Sequence, residues 1–216
     1  MTMTERQLDN PQNLIEQYKS FKEREGYSKA IGIIGGSDDK NLQSYEEILL
    51  QTFESVKLNF GKFAVVSGGT RGGVPESALK IAKIMELPTI GVYPLEKAEK
   101  VAFEKVDFTI AVPPQPLSNI KWGIETSTLV GIPDVFILID GGWGTLTEIS
   151  MIMKRNLWLA DKKLPLTPVI GLAGSGGVAD ILTNLAHVLT TAPGVYFEAH
   201  SAPYIAEKVT KILNNS

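Results

Sequence analysis

Short apolar segments alternate with helical patterns along almost the whole chain. Segments such as Val135–Ile139 contain no polar residue, which is typical of strands that are buried on both faces of a sheet. Because strands and helices follow one another in turn, the pattern predicts an α/β fold, a single doubly wound domain with a mainly parallel sheet. The expected strands are 30–34, 63–66, 88–92, 108–112, 135–139, 168–172 and 195–197, and the expected helices are 42–59, 75–85, 118–130, 143–160, 176–189 and 203–213.

The first 29 residues differ in character from the rest of the chain. They are polar and carry equal numbers of acidic and basic side chains. Leu14, Tyr18 and Phe21 recur at helical spacing, so a helix over 12–25 is expected to lean on the domain. We therefore expect an N-terminal helical extension, residues 1–29, followed by one domain over residues 30–216.

Composition excludes several classes of function. The 216 residues include no cysteine and two histidines, so thiol nucleophiles, disulfides and iron–sulfur clusters are excluded and a multi-histidine metal site is not expected. The net charge of −3 argues against a broad cationic surface for nucleic acid. No apolar segment is long enough to span a bilayer. We expect a cytoplasmic protein with no metal, no nucleic acid and no membrane among its partners.

Three predicted strand-to-helix turns are rich in glycine. Such turns lie at the carboxyl edge of an open α/β sheet, where ligands bind. Glycine allows close approach of the backbone to a ligand, and the free N–H groups of the following helix suit a phosphate. The turns therefore predict a site for a small phosphorylated ligand. The candidate binding residues are Gly35, Gly36, Ser37, Gly68, Gly69, Thr70, Arg71, Gly72, Gly141, Gly142, Trp143, Gly144 and Thr145.

Some of these residues have a structural interpretation as well as a functional one. Thr145 and Glu148 have the spacing of a capping box, and the spacing alone favours this interpretation. In the alternative interpretation, Thr145 binds a phosphate and Glu148 lies near a sugar. Trp143 could stack on a base, although filling the space over the glycines is slightly favoured. Arg71 could reach a bound phosphate or remain a solvated loop charge, and the sequence does not decide between the two.

A further glycine-rich segment, Gly174 to Ala179, fits a loose dinucleotide-binding fingerprint, with Glu198 following at plausible range. It lies near the C-terminal end, however, and too little chain follows it to build the remainder of a mononucleotide-binding half. NAD(P) binding at this segment is therefore not favoured.

The order of the motifs resembles the Lonely Guy family, also called lysine-decarboxylase-like, within the wider SLOG-type group of Rossmann-like nucleotide-binding proteins. The resemblance covers about residues 30–190. It rests on an initial strand ending in Gly-Gly-Ser, on Ser67-Gly-Gly-Thr-Arg-Gly-Gly, on Ile90-Gly-Val-Tyr-Pro94 and on the stretch from Asp134 to Glu148. The last stretch is similar to the family signature Pro-Gly-Gly-x-Gly-Thr-x-x-Glu. The resemblance implies a Rossmann-like domain.

In that family the signature glycines and threonine hold the phosphate of a nucleoside 5′-monophosphate, and the glutamate takes part in cleaving the N-glycosidic bond. The resemblance therefore implies a phosphate cradle made of Gly141, Gly142, Gly144 and Thr145. It implies that Glu148 is the catalytic acid, beside a centre that develops oxocarbenium character.

The sequence departs from the hydrolases of this family at two places. Asp140 replaces the opening proline of the signature and brings a carboxylate near the expected phosphate site. Glu125 and Thr126 stand where the hydrolases carry an Arg-Lys pair, and Lys121 is the nearest cation in the sequence. Related members without this pair include carriers of the molybdenum cofactor. The departures favour binding over hydrolysis.

We therefore expect a protein that binds a nucleotide or a phosphorylated nucleotide-like ligand, such as a nucleoside monophosphate, as a sensor or carrier. No further cofactor is expected to be required. The alternative is a phosphoribohydrolase that releases free base and ribose 5-phosphate from a nucleoside 5′-monophosphate. The resemblance also implies a homodimer or higher homo-oligomer, with helices 118–130 and 143–160 at the contact.

Overall fold

The computed structural model describes residues 11–115, 121–189 and 195–216, with residues 11 and 184–189 as backbone only. Seven parallel strands form one sheet, which confirms the predicted α/β Rossmann-like fold. The strands are β1 (Ala30–Gly35), β2 (Ala64–Ser67), β3 (Thr89–Pro94), β4 (Phe108–Val112), β5 (Val135–Ile139), β6 (Val169–Leu172) and β7 (Tyr196–Ala199).

Helices connect the strands at nearly all the predicted places. They are α1 (Pro11–Glu25), α2 (Leu42–Asn59), α3 (Gly73–Ile84), α4 (Thr126–Leu129), α5 (Trp143–Asp161), α6 (Gly177–Leu189) and α7 (Ala202–Asn215), and two 3₁₀ turns cover Leu95–Lys100 and Phe103–Lys105. The prediction of a helix over 118–130 was wrong, because only its last turn is helical. Gly123 adopts a φ of +91°, outside the helical range. Residues 118–120 lie outside the described part of the chain.

The strand order places one crevice in the sheet. The order is β4-β3-β2-β1-β5-β6-β7, so the chain builds outward from β1 to β4 and then returns to place β5 on the other side of β1. Gly35 at the end of β1 is in register with Ile139 at the end of β5. The connections from these two strands leave toward opposite faces, which opens a crevice at their carboxyl ends.

Helices cover both faces of the sheet. One face packs against α2, α3 and α7, and the other against α5 and α6. Helix α1 joins this second face beside β4, where Phe21 stacks on Phe108 with ring centroids 5.0 Å apart. Burial on both faces explains why the strands carry apolar residues throughout. None of the helices in the described ranges is long and apolar enough to cross a membrane.

Candidate functional site

A cavity of about 1000 Å³ opens where the three predicted glycine-rich turns meet at the carboxyl edge of the sheet. Its size is at the upper end for a small-molecule site. The predicted residues that line it are Gly35, Ser37, Gly68, Thr70, Arg71, Gly142, Trp143, Gly144, Thr145 and Glu148. Gly36, Gly69, Gly72 and Gly141 lie in the same turns but do not line the cavity.

Close approach of neighbouring atoms accounts for two of the glycines that do not line the cavity. A Cβ on Gly141, which has a φ of +115°, would lie 2.6 Å from the Cβ of Thr145. Gly69 has a φ of +68°, and a Cβ there would lie 3.1 Å from the Cα of Gly91. These glycines shape the turns, because a side chain would strain the backbone as well as crowd a neighbour.

Gly142 and Gly144 differ from them in having open space where a side chain would be. A Cβ at either position would meet no heavy atom within 4 Å, and both residues line the cavity. No contact within the described protein requires a glycine here. Their lack of side chains leaves the backbone of the α5 start accessible to a ligand.

The starts of three helices near the sheet edge differ in how their N–H groups are used. At α3, Gly73 N–H donates to the Asp39 carboxylate at 3.0 Å, and Gly72 N–H donates to Glu76. At α6, Gly174 and Gly176 donate to Asp180 at 2.7 and 3.2 Å. The first turn of α5 has no acidic residue and no side-chain cap among the described residues. Of these three helix starts, the one at α5 has no carboxylate from the described part of the chain bound to its positive end.

The capping-box interpretation of Thr145 and Glu148 was wrong. Gly142 precedes the helix, and the buried Thr145 hydroxyl donates to the Gly35 carbonyl at 3.1 Å. This bond ties the turn after β5 to the end of β1. Trp143 is 86% exposed, so the prediction that it fills space over the glycines was also wrong. Its indole stands at the mouth of the cavity.

Arg71 lines the cavity and is also paired with an acidic side chain of the protein. Its guanidinium donates to both carboxylate oxygens of Glu104, at 2.9 and 3.1 Å. Both side chains are about half exposed, and Lys105 also contacts Glu104. A phosphate in the cavity would therefore share Arg71 with Glu104. An exposed pair of this kind costs little to rearrange.

Two acidic residues also line the cavity. Glu148 lies on α5 and Glu125 directly precedes α4. Burial, and to a smaller extent the negative charge of Glu125, raises the pKa of Glu148 to about 8. Burial also raises the pKa of Glu125, although its carboxylate accepts the Gly123 N–H at 2.8 Å. Glu148 is therefore mainly protonated at neutral pH and could donate a proton or a hydrogen bond.

Asp140 lies outside the cavity lining. Its carboxylate points toward the start of α6, where a Cβ on Gly177 would lie 2.4 Å from Asp140 Oδ1. Asp180 accepts the N–H groups of the Gly174–Gly176 segment that a dinucleotide would need. These contacts weigh against NAD(P) binding there. A Cβ on Gly36 would lie 3.0 Å from Asp140 Oδ2, so this carboxylate also borders the turn after β1.

Sequence reasoning missed part of the cavity wall. The missed lining residues include Lys100, Gln115, Trp122, Ile124 and Met151. Glu125 was noted only as a departure from a family pattern. No motif marks the 122–125 segment, and the wrongly predicted helix across it concealed that it forms a loop in the cavity wall. In the described chain, no group of acidic and histidine side chains could hold a metal ion.

Comparison with protein families identifies the family of this chain. The profile of the SLOG cluster4 family matches residues 28–160, which contain all of the predicted site residues. The chain belongs to the SLOG cluster4 family. This confirms the resemblance to SLOG-type Rossmann-like proteins. Among curated proteins, none matches this sequence.

Solved structures share the fold of this SLOG protein. A molybdenum cofactor binding protein from Rippkaea orientalis has a TM-score of 0.61 at 23% identity, with 86% of this chain and 98% of that chain covered. The molybdenum cofactor carrier protein of Chlamydomonas reinhardtii has a TM-score of 0.59 at 20% identity, with coverages of 87% and 99%. The structural-genomics target TM1055 has a TM-score of 0.62 at 19% identity, with coverages of 88% and 100%.

Proposed function

We propose that this SLOG protein binds a small phosphorylated, nucleotide-like ligand and acts as its carrier or sensor. The phosphate would lie at the first turn of α5, on the N–H groups of Trp143, Gly144 and Thr145. The observation that carries the proposal is the uncapped start of α5 in the cavity. The protein's own carboxylates close the starts of α3 and α6, so the favourable position for an external anion is at α5.

Two further observations support binding without turnover. The cavity carries Glu125 where the hydrolases of the resembling family have an arginine, so a cation expected to aid cleavage is replaced by an acid. Two proteins with the same fold are described as a binding protein and a carrier for the molybdenum cofactor. A carrier needs a cavity with matching groups but no group that breaks a bond of its cargo.

The substitution Gly144→Asp tests the position of the phosphate. The side chain would enter open space, and an acid in the first turn favours the helix, so the fold is expected to remain at least as stable. The new carboxylate would occupy the position of the phosphate. The affinity for nucleoside monophosphates should fall by at least about 100-fold, because two charge-assisted hydrogen bonds to the phosphate would be lost.

Gly144→Ala is the matched control, because it adds a methyl group without charge and should change affinity much less. Calorimetry with a panel of nucleoside monophosphates gives the dissociation constants. In wild type, a ligand at 100 times its dissociation constant should raise stability by about 2.7 kcal/mol. Unchanged affinity in Gly144→Asp would contradict the proposed phosphate position.

The second candidate function is a nucleoside 5′-monophosphate phosphoribohydrolase. The raised pKa of Glu148, about 8, favours it, because a carboxylic acid at neutral pH can protonate a departing base. Incubation of wild type with the same monophosphates should then release free base, detected by chromatography. Glu148→Gln should abolish release while leaving binding nearly unchanged. If wild type binds the monophosphates tightly but releases no base, the hydrolase is rejected and the carrier or sensor role is retained.

A homodimer through α5 is the third part of the proposal. Trp143, Met151, Leu157 and Trp158 are exposed on this helix, with Trp143 86% and Trp158 56% exposed. Large apolar side chains gathered on one surface are typical of an interaction site. The expected contact through 118–130 involves α4 as well, with residues 118–120 outside the described part.

A further inference from the structure

Charged side chains of both signs line the cavity. The lining cations are Arg71 and Lys100, which are neighbours because Arg71 N–H donates to the Lys100 carbonyl at 2.8 Å. The lining acids are Glu125 and Glu148, whose carboxyl groups interact electrostatically. A ligand whose phosphate occupies the α5 start therefore shares the cavity with two acids, which favour hydrogen-bond donors on the rest of the ligand.

The two acids offer different hydrogen-bonding capacities. Glu148 lies partly exposed in the cavity wall and makes no hydrogen bond within the described structure, and burial raises its pKa to about 8. Glu125 has one bond, from Gly123 N–H at 2.8 Å. Repulsion between two carboxylates disfavours the doubly ionised form and favours the form with one proton on the pair. The pair then presents one hydroxyl donor together with the several acceptor positions of a carboxylate.

An aromatic surface lies beside this pair. Trp122 lines the cavity and is 45% exposed, and it is three residues from Glu125 along the same loop. The Lys97 ammonium lies over one face of its ring, 5.9 Å from the centroid, so the opposite face is the one left for a ligand. An exposed indole face can stack on a planar heterocycle, which contributes about 1–3 kcal/mol per base in other proteins. The wall thus combines a flat apolar platform with acceptors and a donor at its edge.

We propose, on the basis of the proposed function above, that Glu125 and Glu148 select a ligand whose heterocycle carries a carbonyl, a ring N–H and an amino group along one edge. Glu125 would accept from the ring N–H and the amino group, and protonated Glu148 would donate to the carbonyl. Guanine and pterins share this edge. The acid at position 125, in place of an arginine, makes these N–H groups favourable partners of the site.

Three nucleotides that differ at carbon 2 of the purine ring test the inference. GMP has an amino group on the relevant carbon, IMP has hydrogen and XMP has a carbonyl oxygen, which would face the Glu125 carboxylate. Calorimetry at pH 7 should show GMP binding at least about 10-fold more tightly than IMP, because a hydrogen bond to a charged group is lost. XMP should bind most weakly, since two acceptors then face each other.

Glu125→Gln should reduce the GMP-to-IMP ratio of affinities to about 3-fold or less, because the amide retains one acceptor but loses the charge. Glu54→Gln is the matched control, since Glu54 is exposed on α2 and does not line the cavity, and it should keep the wild-type ratio. The ranking of the three nucleotides by wild type needs no variant, so it holds even if Glu125→Gln folds poorly.

Equal affinities for the three nucleotides, or an unchanged ratio in Glu125→Gln, would overturn this inference while leaving the phosphate site in place. Failure of all three, and of a pterin bearing a side-chain phosphate, to bind wild type would instead reject the proposed function. A comparison of the affinities for GMP and for the pterin phosphate tells whether the ligand carries a guanine or a pterin. Tighter binding of either one identifies the heterocycle, and both results support recognition by Glu125 and Glu148.

Discussion

Thr145 acts over a long distance in sequence. Its buried hydroxyl donates to the carbonyl of Gly35, 110 residues away, and joins two turns that line the cavity. Thr145→Val keeps the shape but removes the donor, so the partly buried Gly35 carbonyl loses this hydrogen bond. We expect a loss of about 1–2 kcal/mol in the free energy of unfolding, measured by urea denaturation.

Thr147→Val is a matched control on the same helix. Its hydroxyl donates to the carbonyl of Trp143 within the helix and is exposed to solvent. The cost should remain below about 0.5 kcal/mol, as is usual for surface positions. An equal loss in both variants would show that the Thr145 bond to Gly35 contributes nothing special.

Individual site residues were predictable where the local sequence determines the backbone. Glycine at positions 142 and 144 indicated an accessible helix start, which is found in the structure. The role of Thr145 was not predictable, because a capping box and a long-range tie have the same spacing. Only the partner Gly35 distinguishes them, and its position depends on the packing of β1 against β5.

The raised pKa of Glu148 predicts how stability depends on pH. Burial favours the protonated form, so the folded protein binds this proton more tightly than the unfolded chain does. The favourable contribution is therefore complete at low pH and is lost as pH rises from the unfolded pKa toward about 8. Glu148→Gln removes this loss, and it should be more stable than wild type at pH 8, by up to about 4 kcal/mol.

Denaturant unfolding of both proteins at pH 5 and pH 8 provides the measurement. The difference between them should increase with pH. Glu54→Gln, an exposed carboxylate on α2, should show no such increase. Parallel pH curves for wild type and Glu148→Gln would mean that the Glu148 carboxyl is ionised in the folded protein at neutral pH.

At the level of elements, α5 is anchored at its far end by one buried amide. Asn156 is 1% exposed, and its side chain donates to the Thr167 carbonyl and accepts from the Thr167 N–H, both at 2.7 Å. These bonds fix the loop between α5 and β6. Asn156→Ala would leave two buried backbone groups without partners and should cost about 2–4 kcal/mol in the free energy of unfolding.

The check on this prediction is a thermal melt beside that of Lys154→Ala, which changes an exposed residue of the same helix. We expect a clear fall in the melting temperature for Asn156→Ala and little change for the control. Similar melting temperatures for the two variants would show that water replaces the amide at no cost.

The strands were predicted well and the shortest helix poorly, for a physical reason. Strands buried on both faces carry a continuous apolar pattern that survives in the sequence, as Val135–Ile139 shows. The 122–125 loop lines the cavity, and no turn motif in its sequence marks it as a loop. Its apolar residues gave a helical pattern, while the positive φ of Gly123 reflects its course over the site.

For the molecule as a whole, the switch in strand order explains why distant segments form one site. The turns after β1, β2 and β5 come together only because β5 returns beside β1. The same arrangement leaves one side of α5 outward. Trp143, Met151 and Trp158 are separated by seven or eight residues, so they lie on one helical face. The buried residues of α5 lie on the opposite face.

This outward face predicts a dimer that one charge should disrupt. A glutamate at position 158 would place an unpaired carboxylate in the apolar centre of the proposed contact, a large cost once two copies exclude water. Trp158→Glu should therefore be monomeric in size-exclusion chromatography with light scattering at micromolar concentration, whereas wild type should be dimeric. Leu58→Glu is the matched control, because Leu58 is 85% exposed on α2, on the other side of the sheet. It should remain dimeric, and a wild type that is monomeric throughout the concentration range would contradict the proposed contact.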